Sequence, residues 1–501
     1  MIDAAAIARR TEWIVIALVV MRLAFAAATP LTFDEAYYWT WSKHLAGGYY
    51  DHPPMVALII RLGTLMFGDT AFGVRVVSIL LALPMTFAVY RAAEMLFRNA
   101  QIAATAALLL NATLMVAAGT IIVTPDAPLM VTSAFVLYAL AKVYDTGRGV
   151  WWLGVGVAVG LALLSKYTAM FFGASILLWL VIAKDMRRWL VTLWPYLGGV
   201  VAFALFMPVI LWNADHHWVS FIKQLGRARV DGLTLKYFGE LIPTQFAFAT
   251  PFVFLLGVSG LYLLGRRGEG TPSARVLINV SFWVTVLYFC IHSLHSRVEA
   301  NWLGPVYPAF AIAAAVAAHH TDWNAFNQRA INFYRRWALP SGVVLLLLLI
   351  VQANSGIFTL YKRDATVRSI GVGWSDLARQ IGAVAKANHA TCIMAPDYGT
   401  TSWLMFYLPP GTCVVQRGQR IRWLNMPEPD RAALDTILYV DEPRDATREP
   451  LRKIYRRTEK VATLPRKRSG VAMEQYELDI FQEATADPLD RTPPPELATS
   501  R

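Results

Sequence analysis

A polytopic α-helical membrane protein with a small α/β domain near its C-terminal end is the fold that this sequence predicts. Three observations predict it. Of 501 residues, 56% are hydrophobic and 16% are charged, whereas a soluble domain carries about 25% charged residues. The apolar residues come in long runs, such as Trp13–Ala28, Ile102–Ala118, Trp151–Leu164 and Val343–Val351. A run of about 18–20 apolar residues covers about 30 Å of hydrocarbon. Beyond residue 355 the runs stop, and short alternating segments bounded by Pro, Gly and Asp take over.

Apolar helices are read near 12–29, 72–97, 102–118, 126–144, 150–164, 167–183, 190–212, 244–265, 276–293, 301–318 and 338–354. With the uncertainty of such boundaries the chain crosses about 11–13 times. The breaks are charged or turn-like, as at Arg98-Asn99, Asp145–Gly149, Lys184–Arg188 and Arg266–Arg275. Alternate loops carry Arg9, Arg10, Arg98, Arg148, Lys184, Arg187, Arg188, Arg266, Arg267, Arg275, Arg329, Arg335 and Arg336. Lys and Arg in short loops mark the cytoplasmic side, so the N-terminus is expected inside and the C-terminal domain outside, in the periplasm of a bacterial inner membrane. The opening MIDAAAIARR lacks a small-residue cleavage site and reads as the start of an uncleaved first helix.

Between the first two spans, residues 30–71 hold two short amphipathic stretches, Glu35–Leu45 and Met55–Phe67, suited to helices along the outer interface. The transmembrane domain is taken as 1–355. Residues 356–482 form the periplasmic domain, with a helix over Trp374–Ala387 and strands near Thr391–Ala395, Cys413–Gln416, Thr436–Val440 and Met473–Asp479. The tail 483–501, with Pro-Pro-Pro at 493–495, reads as disordered.

The net charge of +12 would suggest nucleic acid in a soluble protein. Here the basic loops account for it, and no RNA- or DNA-binding motif accompanies it. Membrane lipids are the expected surroundings. The cysteines Cys290, Cys392 and Cys413 match no zinc spacing. In an oxidising compartment Cys392 and Cys413 can pair; two free thiols fit the sequence equally well.

Chemistry-bearing residues gather in the outer segments. The first loop reads Thr32-Phe33-Asp34-Glu35-Ala36-Tyr37-Tyr38-Trp39, then Tyr49-Tyr50-Asp51-His52-Pro53-Pro54. Adjacent acids beside a span are costly when buried and tend to mark a site, and a carboxylate can take a proton from an attacking hydroxyl. Solvated loop charge, or helix capping by Asp34, is the plainer reading. Tyr37 and Tyr50 offer faces for a sugar. Asp126 follows Thr124-Pro125 at a helix start, where the helix dipole alone accounts for an acid. Lys166, in Leu164-Ser165-Lys166-Tyr167, is placed to hold a phosphate or to snorkel to the interface.

The outer segment 213–243 carries Lys223, Arg227, Arg229 and Lys236 against the basic-inside pattern, which points to an anionic partner. His292 and His295, at i and i+3, can bind a divalent metal, but no further ligand accompanies them; whether a metal takes part is left unknown. Arg297, Glu299 and Asn301 follow in Glu299-Ala300-Asn301-Trp302-Leu303-Gly304-Pro305.

These segments resemble the bacterial PMT/ArnT-like glycosyltransferases of the GT-C superfamily. The resemblance rests on TFDEAYYW, YYDHPP, TPDAP at 124–128, LLSKYT at 163–168, WNADHHWVSF at 212–221 and EANWLGPVYPA at 299–309. It implies a GT-C fold and an inverting transfer from a polyprenyl-phosphate sugar to a lipid or glycan acceptor such as lipid A or the lipopolysaccharide core. By motif, Asp34 is the base and Asp126 its neighbour in catalysis. Glu35, Tyr37, Tyr50, Asp51, His52, Lys166, Arg227, Arg229, Arg297, Glu299 and Asn301 bind substrate. Asp51 and His52 stand where aminoarabinose transferases have a Glu-Lys pair, one member of which helps bind metal or phosphate; the histidine leaves that assignment open. The donor is already activated, and no P-loop pattern appears, so no nucleotide is expected. Two alternatives remain at this point: a protein O-mannosyltransferase acting on Ser or Thr, and a polyprenyl-lipid or sugar transporter. A transporter would show interrupted helices in repeated halves, and no internal repeat is seen.

Overall fold

The computed structural model describes residues 4–226, 232–266, 269–358, 364 and 368–493. They fall into two compact units: Met1–Phe25, His52–Ile59 and Arg75–Leu347 form one, and Ala26–Asp51, Ile60–Val74 and Leu348–Arg501 the other.

The first unit is helical. In chain order the helices begin with α1 (Ala4–Ala28), then α2 (Phe33–Lys43), which belongs to the second unit, and α3 (Met55–Phe67). There follow α4 (Ala71–Leu80), α5 (Ala82–Phe97), α6 (Ala100–Ala112), α7 (Leu114–Gly119), α8 (Asp126–Thr146), α9 (Trp151–Ser165) and α10 (Phe171–Ile182). The bundle continues with α11 (Trp194–Asp215), α12 (Val219–Gly226), α13 (Lys236–Ala249), α14 (Pro251–Gly265), α15 (Pro272–His292), α16 (Tyr307–His319) and α17 (Ala325–Ser355).

Among the described residues seven helices are long and apolar enough to span a membrane, or nine if each of two bent pairs is one span. The chain is a multi-pass membrane protein. The segments expected to be helical are so, but several are broken. The segment expected as one helix over 244–265 bends by 107° between α13 and α14. Thr250 there has φ +63°, and Pro251 follows it. Proline lacks the N–H that would continue the ladder and disfavours helical geometry in the residue before it.

Packing explains which helices are central. α16, YPAFAIAAAVAAH, is almost wholly buried because its small residues let neighbours come close. α17 presents much of its apolar surface outward, with Phe326, Val344 and Leu348 exposed, as a lipid-facing helix does. A close approach joins α9 and α11: a Cβ on Gly156 would lie 2.2 Å from the Gly198 carbonyl oxygen. Gly156→Val is therefore expected to cost about 1–3 kcal/mol or more, seen as a lower unfolding temperature in detergent.

The second unit joins the first loop to an α/β domain. Its further elements are α18 (Trp374–Ala387), β1 (Cys392–Ala395), α19 (Tyr398–Tyr407), β2 (Val414–Gln416), β3 (Thr436–Asp441), α20 (Asp445–Arg452), β4 (Tyr455–Arg468) and β5 (Val471–Ala484). The sheet order is β2-β1-β3-β5-β4, parallel for β2-β1-β3 and antiparallel beyond. One face packs Trp374, Leu377, Ile381, Trp403 and Leu404 of its helices against Ile393, Leu438 and Leu478. Ala36 of α2 belongs to the same core. β4 is a strand that the sequence reading missed. The segment expected as a disordered tail from 483 begins inside β5, and Leu489 is buried beside Val415 and Leu434; residues 494–501 lie outside the described residues.

Cys392 and Cys413 form a disulfide. It closes a segment with a sequence separation of 21. Confining a loop of that length in the unfolded chain stabilises by about 3 kcal/mol. The Cys392→Ser/Cys413→Ser variant is expected to lose about that much, measured by denaturant unfolding with and without reductant.

Candidate active site

The first loop begins α2 with a capping box. Thr32 is the N-cap in extended geometry; its Oγ1 accepts from the Glu35 N–H at 3.2 Å, and the Glu35 carboxylate accepts from the Thr32 N–H at 2.9 Å. Two adjacent acids thus acquire different tasks. Glu35, expected at the substrate, is buried and closes the cap. Asp34 is left to other partners.

Those partners come from the α/β domain. The Tyr398 hydroxyl donates to Asp34 Oδ1 at 3.1 Å. One turn along α2, the Tyr37 hydroxyl donates to Asp51 Oδ2 at 2.8 Å, and Arg422 Nη1 donates to the same oxygen at 2.7 Å. The Arg422 guanidinium stands 4.6 Å from the Tyr398 ring centroid and 5.9 Å from that of Tyr50. Tyr37 sits among Tyr398, Trp41 and Trp423, at centroid distances of 5.1, 5.0 and 5.4 Å. Asp34, Tyr37, Tyr50 and Asp51 are therefore gathered with Tyr398 and Arg422, two residues that sequence reasoning had not placed in a site.

The electrostatics of this cluster follow from burial. Desolvation pushes the Asp34 carboxyl up to about 6; the hydrogen bond from Tyr398 opposes that, the neighbouring charges of Asp51 and Glu35 add to it, and Arg422 opposes it. Burial also pushes the phenols of Tyr37 and Tyr398 up, so both remain proton donors.

A second cluster lies within the helical unit. Asp126 heads α8 and Lys166 is the extended C-cap of α9. Both are at the helix ends remote from the basic 145–149 turn that joins them. Lys166 Nζ donates to Asp126 Oδ1 at 2.6 Å, with the two side chains 8% and 5% exposed. Asn301 Nδ2 donates to Asp126 Oδ2 at 2.6 Å. Trp302 lies 5.9 Å from Lys166 Nζ, and its ring neighbours His292, which stands 4.6 Å from His295. Asp126, Lys166 and Asn301, expected together, are together. Arg297 and Glu299 form an exposed pair at 3.6 Å. Arg227 and Arg229 lie outside the described residues. His52 belongs to the helical unit rather than to the unit that holds Asp51.

Among the described residues no three His, Cys, Asp or Glu side chains gather as a metal site. Asp51, the acid to which the resemblance gave a metal or phosphate role, is already matched by the Arg422 cation.

Comparison with known proteins agrees with this architecture. A family model described as dolichyl-phosphate-mannose-protein mannosyltransferase matches residues 51–212. The lipid A galacturonosyltransferase RgtD of Rhizobium johnstonii is 28% identical over 295 residues, 57% of this chain and 60% of its own length. The crystal structure of ArnT from Cupriavidus metallidurans in the apo state superposes with a TM-score of 0.65 at 17% identity, over 94% of this chain and 98% of that one. The same protein bound to undecaprenyl phosphate gives 0.66 at 15% identity, over the same shares. The chain has the fold of ArnT. It spans about 60% of the length of the curated relative that it matches.

Proposed function

We propose that the protein is an inverting glycosyltransferase that moves a sugar from a polyprenyl-phosphate donor to a lipid or glycan acceptor of the envelope, on the periplasmic side. The observation that carries the proposal is the desolvated Asp34 carboxyl, pushed up to about 6 beside a tyrosine donor. Such a group is deprotonated at neutral pH yet basic enough to assist an alcohol.

The acceptor hydroxyl gives its proton to Asp34 while its oxygen attacks the anomeric carbon. The bond from that carbon to the phosphate oxygen breaks, and polyprenyl phosphate leaves on the opposite face, so configuration inverts. By its motif, LLSKYT, Lys166 of the helical unit is the cation proposed for the departing phosphate. Its ammonium has three donors, and among the described residues Asp126 takes one of them. Asp126 and Asn301 hold the lysine in place. Positioning and charge stabilisation supply most of the rate, and the activated donor needs no nucleotide.

The name of RgtD supports lipid A as acceptor, and undecaprenyl phosphate in ArnT supports the donor class. The test is incubation of the purified full chain with polyprenyl-phosphate sugars and extracted envelope lipids, with the product identified by mass. A glycosylated lipid is expected. Label recovered only in protein would instead favour transfer to Ser or Thr, and no product with any donor would remove the reading.

A further inference from the structure

We infer that Tyr398 and Arg422 are positioning residues, supplied by the α/β domain, which hold the two first-loop carboxylates and keep Asp34 in its working charge state. The inference rests on the reading of Asp34 as the base.

Sheet topology explains how one small domain delivers both side chains. β1 and β2 are adjacent parallel strands, and both groups follow their carboxyl ends. Tyr398 opens α19 two residues after its N-cap neighbourhood begins at the end of β1, with Asp397 Oδ1 accepting from the Thr400 N–H at 2.9 Å. Arg422 lies in the 3₁₀ turn 420–423 after β2, anchored where Trp423 Nε1 donates to Gln416 Oε1 at 2.9 Å. Ligand sites in open α/β sheets form outside the carboxyl ends of strands. The Cys392–Cys413 bond ties the two strands at their other ends.

Charge accounting gives each residue its task. Asp34 is faced by Glu35 and Tyr38 of its own helix, by Asp51 of the first loop, by Tyr398 of α19 and by Arg422 of the turn. Arg422, 16% exposed in its side chain, pairs with Asp51, 8% exposed; the Asp51 charge raises the Asp34 carboxyl and the guanidinium lowers it. Tyr398 also lowers it, by donating directly to Asp34 Oδ1. Each also fixes direction: the phenol occupies one carboxylate oxygen and leaves the other to an acceptor hydroxyl. The ring of Tyr398 on the Arg422 guanidinium links the two devices.

The experiment is the rate–pH profile of purified full-length Tyr398→Phe, Arg422→Lys and Arg422→Gln between about pH 5 and 9, beside Asp34→Asn. For Tyr398→Phe the acid limb is expected to move up by about half a pH unit or more, with the rate recovering at the alkaline plateau. Arg422→Gln is expected to move it in the same direction by less, since its charge acts on Asp34 through space rather than by a direct hydrogen bond, and Arg422→Lys to restore part of the loss because the charge returns. Mere structural damage would lower the plateau and leave the limb in place. If Asp34→Asn is inactive but the Tyr398→Phe limb does not move, the positioning role is wrong and the base reading stands. If Asp34→Asn retains turnover, the base reading fails and takes this inference with it. Should Arg422→Gln fail to fold, Tyr398→Phe, which keeps the ring and loses one hydroxyl, decides alone.

Discussion

Asp34→Asn is expected to lower sugar transfer about 10³-fold, within the 10²–10⁴ that a positioned base contributes. The amide keeps the shape of the carboxyl and an oxygen to accept from Tyr398, but it cannot take a proton. The wild-type rate should fall as pH drops through about 6, because the working form is the carboxylate and burial holds its proton to that point. Stability runs the other way. A carboxyl whose folded value is raised favours the protonated native state, so its contribution weakens as pH rises from the ordinary carboxylate range through about 6. The asparagine variant has no such charge to desolvate. It should unfold at the same temperature as the parent or higher at neutral pH. Loss of activity with stability retained is the signature. Transfer within tenfold of the parent would eliminate Asp34 as the base.

The membrane part was legible because long apolar runs and basic turns are local signals, although α1, α13 and α17 begin at Ala4, Lys236 and Ala325, well before the expected 12, 244 and 338. Met55–Phe67 and Trp374–Ala387 coincide with their expected bounds. What was not legible depends on distant partners. Tyr398 and Arg422 reach the first loop across separations of 364 and 371 residues, and neither lies in a motif. In Asp397-Tyr398-Gly399-Thr400, just after a strand, a turn is the plainer reading of Tyr398. β4 was invisible for a different reason. Its sequence, YRRTEKVATLPRKR, belongs to an edge strand, whose exposed charges and proline discourage further pairing and hide the apolar alternation that marks inner strands. Asp34 and Glu35 looked equivalent as neighbours, and only the capping geometry separates them.

Lys166→Met carries the other large expected effect, and a second substitution tells its two causes apart. The lysine and Asp126 are an ion pair almost shut off from solvent. Removing the cation alone strands a buried carboxylate, which costs about 3–5 kcal/mol. The single variant should therefore express poorly and unfold early, and its inactivity would prove little. Asp126→Asn with Lys166→Met removes both charges while keeping an amide to accept from Asn301. Buried pairs exchanged for neutral groups of similar size are often close to neutral in stability, so the double variant should unfold near the parental temperature. Its transfer rate is nevertheless expected to stay about 10²-fold down, because the cation proposed for the departing phosphate is gone. The donor, not the acceptor, should show the weakened dependence, measured as KM for each at saturating levels of the other. If the double variant recovered both stability and turnover, the pair would be a structural tie between α8 and α9, and the phosphate would have to be sought on the basic loop instead.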